Sequence, residues 1–237
     1  MVQVKAIGEK LERPIYVRVK FAKMGKLQYI SHLDLVRTMH KILIRSKMPL
    51  WFSEGFNPKP KMIFASSMSV GLQSECEFMD VRVTHRLDLD RAIEALSSTS
   101  PDELTILDVY YPTTEFTEIG WAEYKMSISS KDTPEGLPKR CKELLKSSPL
   151  VVLKRTKSGD KDVDISSYIG DVDASASDDG DVELRVMLRA ENTSFLNPEY
   201  LVTAMKNSLG ILSGNLLENT YEIVRTAMYD ADMNLFR

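Results

Sequence analysis

Residues 15–49 of this 237-residue chain read IYVRVKFAKMGKLQYISHLDLVRTMHKILIRSKMP, and this stretch decides the fold. Apolar and charged residues alternate over Ile15–Phe21, which predicts a β-strand with one buried face. Ser31 and Asp34 form an S-x-x-D capping box, and apolar residues then recur at helical spacing until Pro49. The stretch therefore predicts a strand followed by an amphipathic helix.

The segments on either side of this helix extend the pattern to a β-α-β-β-α-β order. We expect an extended piece at Leu27–Ile30, just before the helix. Further strands are predicted at Met62–Ser67, Cys76–His85 and Leu104–Tyr110, with a second helix capped by Asp88. This order of elements is typical of a ferredoxin-like domain.

The second half of the chain shows the same order without sequence identity to the first. Strands are predicted at Tyr124–Ser130, Val151–Arg155, Val182–Ala190 and Tyr221–Tyr229. We expect the stretch that runs on to Ile169 to pair with Val151–Arg155, and Asn197 and Pro198 to be the N-cap and first residue of a helix. The sequence thus predicts an α+β fold with two tandem ferredoxin-like domains, residues 1–115 and 120–237.

The composition is that of a globular protein, with 43% hydrophobic and 27% charged residues. It excludes collagen, a disordered tail and a bare coiled coil. No apolar run is long enough to span a membrane, and no signal peptide is evident. The two cysteines, Cys76 and Cys141, do not make a disulfide framework, so we expect core thiols and a cytoplasmic location.

The net charge of −3 conceals an asymmetry between the first third of the chain and the rest. Residues 1–75 carry thirteen Lys and Arg against five Asp and Glu, which gives +8, and the remaining residues carry −11. A basic first third points to an anionic partner on that side of the protein. The alternative is that the lysines only solvate the surface.

Two basic features lie in this first third. Arg37, Lys41 and Arg45 are spaced to form a stripe along one face of the helix, which either follows a nucleic-acid backbone or is an ordinary solvated face. The loop at residues 52–61 reads FSEGFNPKPK; Lys59 and Lys61 are placed to hold phosphates and Phe56 to stack on a base. The other reading of this loop is a rigid crossover with Phe56 buried in the core.

Few residues or motifs in the sequence indicate catalysis or metal binding. His32, at the start of the helix, is a candidate for proton transfer or for contact with an anion, while capping alone explains Ser31 and Asp34. The acidic run from Asp160 to Asp181 fits a calcium loop poorly and predicts a solvated hairpin. We expect no metal site and no cofactor, since the familiar metal, phosphate-loop and dinucleotide motifs are absent.

The motifs KMGKLQYISHLDLVR at 23–37 and SEGFNPKPKMIFA at 53–65, with VDI at 163–165 and RTAMY at 225–229, resemble the radical-SAM-linked family of bacterial proteins. Proteins of that family are fused to, or encoded beside, a radical SAM enzyme, often near a ribonuclease of the E/G type. Where this chain has Lys59 the family usually has histidine, so the departure favours an anion-binding loop over a metal site. The architecture also resembles that of the CRISPR repeat-processing RNA endonucleases.

Together these features predict a non-catalytic RNA-binding protein that works with a radical SAM enzyme on tRNA or rRNA, with no membrane partner. Two alternatives stay open: an RNA-directed enzyme that uses His32 with Lys59 or Tyr29, and a protein–protein scaffold that docks the radical SAM enzyme through its acidic half. The predicted RNA-binding residues are Lys23, Lys26, Tyr29, Ser31, His32, Arg37, Lys41, Arg45, Phe56, Asn57, Lys59 and Lys61.

Overall fold

The alternating segment after residue 14 is the first long strand of the computed structural model, which describes residues 2–130, 136–156, 159–212 and 219–237. The described residues form a mixed α+β structure in two compact units. Unit 1 comprises residues 1–116 together with Arg237, and unit 2 comprises residues 117–236.

Unit 1 contains six strands and two α-helices among its described residues. In chain order they are β1 (Ala6–Ile7), β2 (Ile15–Lys23), α1 (His32–Arg45), β3 (Met62–Phe64), β4 (Gln73–Val83), β5 (Arg86–Leu87), α2 (Leu89–Ser97) and β6 (Leu104–Tyr110). Four strands form an antiparallel sheet in the order β6-β2-β4-β3, and β1 pairs with β5 separately.

The core of unit 1 lies between its sheet and its two helices. β2 contributes Val17, Val19 and Phe21, all fully buried, and the apolar stripe of α1 packs with them. Burying a large aliphatic or aromatic side chain contributes about 1.5–3 kcal/mol. The helix begins where the capping pattern predicts, since the Ser31 hydroxyl accepts a hydrogen bond from the Asp34 backbone N–H at 3.2 Å.

The opposite face of this sheet is also shielded from solvent around Arg18. Because side chains alternate along a strand, Arg18 and Phe78 point away from the helices. Arg18 is nonetheless 0% exposed and Phe78 only 2% exposed. The sheet of unit 1 is therefore covered on both sides along this row.

Unit 2 contains six strands and two α-helices among its described residues. In chain order they are β7 (Ile119–Ser130), α3 (Leu137–Leu145), β8 (Val151–Thr156), β9 (Gly159–Asp164), β10 (Ile169–Ala176), β11 (Val182–Arg189), α4 (Glu199–Leu209) and β12 (Asn219–Asp230). Its antiparallel sheet has the order β12-β7-β11-β10, and β8 and β9 form a hairpin of their own.

Two sequence predictions for unit 2 are wrong in detail. Val151–Arg155 is a strand and pairs with part of the stretch that runs on to Ile169, as expected, but these two strands form a separate hairpin, β8–β9, and the main sheet takes β10 in their place. β10 is weakly apolar because it lies at the end of the sheet, so its pattern does not stand out. The N-cap of α4 is Pro198, expected as its first residue, and Asn197, expected as the N-cap, lies one residue earlier and accepts a hydrogen bond from the Glu199 N–H at 3.1 Å.

Unit 1 departs from the prediction in two short segments. The piece expected to be extended at Leu27–Ile30 lies largely in a 3₁₀-helix, Gly25–Tyr29. α1 ends at Arg45, before Pro49, because Lys47 adopts a positive φ of 60° that breaks the helical path. Both departures come from local hydrogen bonding that hydrophobic periodicity does not report.

No helix among the described residues is long and apolar enough to cross a membrane.

Candidate functional site

A small cleft lies in unit 1 where α1 begins. It is shallow: the space that a water-sized molecule can enter is about 10 Å³, enough for roughly one water. The residues that line it come from β2, the start of α1, β3, the loop after β3, and β4: Lys23, Ile30, Ser31, His32, Leu35, Phe64, Ser67, Met68 and Glu77. Three titratable side chains and two hydroxyls therefore share one cleft with an apolar wall.

His32 is the first residue of α1 and is held from two sides. Its Nδ1 lies 3.2 Å from the Ser67 hydroxyl, within hydrogen-bond distance. Its ring meets the Phe64 ring edge-on, with the two centroids 5.3 Å apart. Such edge-to-face pairs contribute about 0.5–1.5 kcal/mol beyond the area they bury. The imidazole thus has a defined orientation in the cleft.

Lys23 and Glu77 supply the charges of the cleft from the sheet. Both side chains are 4% exposed, and both lie on the helix-facing side, because Lys23 shares the face of Phe21 and Glu77 pairs with Phe21 across the strands. Lysine and glutamate are rarely this buried unless other polar groups accompany them. The helix-facing side of the sheet is therefore apolar up to the start of α1, where Lys23 and Glu77 lie.

The loop after β3 is tied to the motif that precedes α1. The Gly71 N–H donates to the Gln28 carbonyl at 2.8 Å, and the Gln73 side-chain oxygen accepts from the Gly25 N–H at 2.8 Å. Gly25 has a φ of +55°, which favours glycine. These bonds hold Ser67 and Met68 beside His32. The GKLQYISHLD motif and the loop after β3 therefore line the same side of the cleft.

Ser31 and Asp34 have a structural role at the mouth of the cleft. The Ser31 hydroxyl donates to the Asp34 carboxylate at 2.7 Å, and Arg37 donates to the other carboxylate oxygen at 2.9 Å. The hydrogen bond from Ser31, followed by the one from Arg37, lowers the pKa of the Asp34 carboxyl. Asp34 is thus ionised at neutral pH and partly compensated by Arg37.

The loop at residues 53–59 projects Phe56 into solvent. The Ser53 N–H donates to the Lys59 carbonyl at 2.8 Å, and the Lys59 N–H donates to the Ser53 hydroxyl at 3.0 Å, which closes the loop at its base. Gly55 has a φ of +122°, which only glycine adopts easily. Phe56 is fully exposed, so the reading in which it is a core residue is wrong.

The structure places the predicted RNA-binding residues in two groups. Lys23, Ser31 and His32 line the cleft. Lys23 was expected on a cationic surface; it is buried because strand alternation turns it to the helix side. The remaining predicted residues are exposed and do not line the cleft: Lys26, Tyr29, Arg37, Lys41, Arg45, Phe56, Asn57, Lys59 and Lys61.

This grouping changes the partners available to His32. Lys59 and Tyr29, with which it was expected to act, do not line the cleft. Sequence reasoning missed Phe64, Ser67 and Glu77. Glu77 could have been found from the sequence. Strand alternation places its carboxylate on the same face of β4 as the buried Met79.

Among the residues that the structure describes, no group of three or more His, Cys, Asp or Glu side chains is arranged to hold a metal ion. The acidic residues Asp160 and Asp162 lie exposed on the β9 strand of the hairpin. Asp164 is used locally, because its carboxylate accepts from the Ser166 and Leu150 N–H groups at 2.9 and 3.0 Å. These hydrogen bonds, led by those from Ser166, lower the pKa of Asp164.

Two solved structures similar to this chain have low TM-scores. One chain, from a crystal structure of a Cbf5–Nop10–Gar1 complex, is 12% identical, with a TM-score of 0.47 and coverage of 90% of this chain and 48% of that chain. The present chain thus spans about half the length of that one. A protein of Galdieria sulphuraria described as unknown is 12% identical, with a TM-score of 0.26 and coverage of 90% of this chain and 99% of that chain. Both TM-scores are too low to define a shared fold.

No curated protein matches the sequence. A family model described as an uncharacterized protein conserved in bacteria (DUF2344) matches residues 16–198, which include the cleft, the Phe56 loop and most of unit 2. The match covers well over half of the sequence. The chain belongs to this bacterial family.

Proposed function

We propose that this protein binds RNA through unit 1 and works with a radical SAM enzyme in the modification or processing of tRNA or rRNA. The observation that carries the proposal is the fully exposed Phe56 at the tip of a closed loop, with the exposed Lys59 and Lys61 following it. Aromatic side chains that stand free in solvent beside cations are the elements that hold unstacked bases and phosphates.

The closed base of this loop makes the arrangement suitable for binding. Two hydrogen bonds between Ser53 and Lys59 fix the ends of the loop, and Pro58 and Pro60 restrict its backbone. An aromatic side chain on a pre-ordered loop loses less conformational entropy on binding than one on a flexible loop. Because Phe56 buries no apolar area within the chain, its whole ring is available to stack on a base.

The cations of α1 support the same proposal. Lys41 and Arg45 are exposed on the outer side of the helix, and Arg37 is exposed despite its ion pair with Asp34. Such surface pairs contribute only about 0–1 kcal/mol, so Arg37 is readily released to a phosphate. Unit 1 carries a net charge of +3 and unit 2 carries −6, and within unit 1 the basic part is residues 1–75, at +8, so unit 1 is the better match for RNA.

The binding mode we propose differs from that of RNA-recognition domains that stack bases on an open sheet. In unit 1 the sheet face opposite the helices is closed at Arg18, Phe78 and Asp80. Contact through the Phe56 loop and the outer side of α1 is therefore the mode that this unit supports. The radical SAM partner rests on the sequence resemblance.

We also propose that both units are ferredoxin-like. In each, the described elements include a β-α-β-β-α-β order, and the four sheet strands lie side by side in the order fourth, first, third, second. The β8–β9 hairpin is then an insertion in the second unit. An experimental structure with a different strand order would contradict this assignment.

The test is the binding of fluorescein-labelled bacterial total tRNA and rRNA fragments, followed by fluorescence anisotropy over a range of salt concentrations. We expect binding that weakens steeply with salt. The triple variant R37E/K41E/K61E should lose at least about tenfold in affinity, because three phosphate contacts become repulsive. The matched control K139E/K161E/K206E reverses three exposed lysines of unit 2 and should bind as the wild type does.

Absence of binding at low salt, or equal affinity of the two triple variants, would overturn RNA binding by unit 1. The partner is tested separately, by co-expression with a radical SAM enzyme from the same genome and size-exclusion chromatography. Co-elution of the two proteins is expected, and separate elution would refute the partnership.

A further inference from the structure

Backbone hydrogen bonds at the base of the Phe56 loop join three segments of unit 1. The Trp51 N–H donates to the Arg82 carbonyl at 2.8 Å, the Lys61 N–H donates to the Trp51 carbonyl at 3.2 Å, and the Arg82 N–H donates to the Lys61 carbonyl at 3.1 Å. Residues that lie opposite each other on neighbouring strands carry their side chains on the same face. The side chains of Trp51, Lys61 and Arg82 therefore lie side by side.

These three side chains are on the outer face of the sheet, opposite to the helices. Leu50 and Met62, which adjoin Trp51 and Lys61 in the sequence, pack in or against the core, and side chains alternate along extended backbone. Trp51 and Arg82 are half-buried and Lys61 is exposed. An indole ring is thus partly open to solvent beside two cations.

Arg82 is held in position by Tyr16, its neighbour on β2. Its Nη2 donates to the Tyr16 hydroxyl at 2.6 Å, and its guanidinium carbon lies 4.8 Å from the centre of the Tyr16 ring. A guanidinium has five N–H donors, and this hydrogen bond uses one of them. Asp80, the next outward-facing residue of β4, is compensated by two hydrogen bonds from Arg18. Arg82 is therefore an ordered cation that suits a phosphate.

The same face continues into the Phe56 loop. Phe52 and Pro60 pair across the base of the loop, and Pro60 is buried, so Lys59 lies on the outer side together with Lys61. Two residues of extended backbone span about 7 Å, which sets the spacing of these two lysines. Phe56 follows at the exposed tip. Two aromatic rings thus flank a row of cations.

We propose that unpaired RNA nucleotides bind along this strip, with one base stacked on Phe56, another on Trp51, and phosphates held by Lys59, Lys61 and Arg82. The inference rests on the proposed binding of RNA by unit 1 and names its substrate class as single-stranded RNA. It extends the site from the Phe56 loop onto the end of the outer sheet face, beyond the covered row of that face.

Two separate rings favour unpaired nucleotides over a duplex. In an A-form helix the bases stack on one another, whereas an unpaired base can lie on an aromatic side chain. A duplex can reach the lysines with its phosphates but cannot place bases on both rings. Stacking on a ring accepts every base, because each base has a π-face. The strip should therefore select for single strands more than for sequence.

The chain contains two tryptophans, which makes stacking on Trp51 directly observable. Trp121→Phe leaves Trp51 as the only tryptophan, and Trp51→Phe leaves Trp121, which lies in unit 2. Each full-length variant is titrated at low salt with an unlabelled single-stranded RNA 12-mer of mixed sequence. Because a stacked base quenches indole emission, the emission of Trp121→Phe should fall until binding saturates. The emission of Trp51→Phe should change little.

Affinities are measured by fluorescence anisotropy with the same 12-mer carrying a 5′-fluorescein label, alone and annealed to its complement. The duplex should bind the wild type at least about tenfold more weakly than the single strand. Arg82→Gln should weaken single-strand binding at least about fivefold, because a phosphate contact is lost. Arg86→Gln is the matched control, since Arg86 is an exposed arginine of unit 1 that also lies over a tyrosine ring, that of Tyr111, at 5.4 Å.

The outcomes separate this inference from the proposed function. Binding of total tRNA with no change in Trp51 emission on adding the 12-mer overturns the strip and leaves RNA binding intact. A duplex bound as tightly as the single strand, or equal affinities of Arg82→Gln and Arg86→Gln, also overturns it. RNA that is not bound in any form overturns both. Circular dichroism establishes that each variant is folded, and if Trp51→Phe unfolds, Trp121→Phe decides.

Discussion

Arg18 binds Asp80 across two neighbouring strands with two hydrogen bonds, 2.7 Å from Nε and 2.9 Å from Nη2. The guanidinium is 0% exposed and also donates to the hydroxyl and the carbonyl oxygen of Thr114, at 2.8 and 2.9 Å. The Phe116 ring lies over it at 4.3 Å. The pair therefore fastens the segment that follows β6 to the outer face of the sheet of unit 1.

Removing one partner of this pair should destabilise the protein strongly. Asp80→Ala leaves a buried guanidinium without its carboxylate, and we expect a loss of about 3–5 kcal/mol in the free energy of unfolding. Urea denaturation followed by circular dichroism measures it. Lys139→Ala is the comparison, since it breaks an exposed ion pair with Glu143, and it should cost less than about 1 kcal/mol. Equal effects of the two substitutions would contradict the role assigned to Arg18 and Asp80.

Phe56→Ala should affect binding and not stability. The side chain is fully exposed, so the free energy of unfolding should change by less than about 0.5 kcal/mol. Loss of one base-stacking contact should weaken RNA binding by about 1–3 kcal/mol. Phe195→Ala is the matched control, because Phe195 is an exposed phenylalanine of unit 2. Anisotropy titrations that do not distinguish the two variants would remove Phe56 from the binding surface.

Gly120 should not tolerate a side chain. A Cβ at this position would lie 2.9 Å from the Ala231 Cα and 3.0 Å from its nitrogen, which is closer than atoms pack, and the backbone there cannot turn aside as a side chain would. We expect Gly120→Ala to lower stability by about 1–3 kcal/mol. Gly170→Ala, whose Cβ would meet the side chains of Met187 and Trp121 at 3.2 Å, should have a smaller effect. The reverse order in thermal melts would contradict the packing described at Gly120.

Cys141 should be inert to alkylation in the folded protein. Burial raises the pKa of its thiol from 9.0 to about 11, because the charged thiolate is poorly solvated in the core. Iodoacetamide at pH 8 should label Cys141 only after unfolding, as shown by peptide mass spectrometry. Rapid labelling of Cys141 in the native protein would contradict its burial.

The raised pKa of Cys141 also determines whether its contribution to stability rises or falls with pH. The thiol of the folded state keeps its proton at a pH where the unfolded state has lost it, so unfolding releases a proton above pH 9.0. The contribution of Cys141 to stability is therefore present below pH 9.0 and declines as the pH rises towards about 11. The wild type should lose more stability than Cys141→Ala across this range in urea titrations.

The sequence predicted elements best where periodicity and capping agreed. Ser31 and Asp34 marked the start of α1, and the alternation in β2 marked its buried face, because both signals lie in neighbouring residues. β10 was missed, since an edge strand with one half-exposed face carries little apolar pattern. Val151–Arg155, which lies in β8, took its place in the predicted order because its run of apolar residues is the stronger local signal.

The candidate site was only partly predictable. His32 and the Phe56 loop stood out as motifs, but Ser67 lies 35 residues from its partner His32 and carries no signal of its own. Lys23 was expected at the surface, since a lysine in isolation is most often solvated. Its burial depends on which face of β2 is covered by α1 beyond the apolar residues of the strand. Tertiary packing decides this, and the local sequence does not.

The sequence by itself determined the periodic elements, the charge asymmetry and the motif residues, because these depend on neighbours along the chain. Only the tertiary structure decided that His32, Lys23 and Glu77 share a cleft while Phe56 stands in solvent. Strand pairing brings residues together that are distant in sequence, and the register of β2 with β4 places Glu77 beside Phe21 on the helix side. The physical reason is that side-chain burial is set by which surfaces pack together, and local sequence does not contain that information.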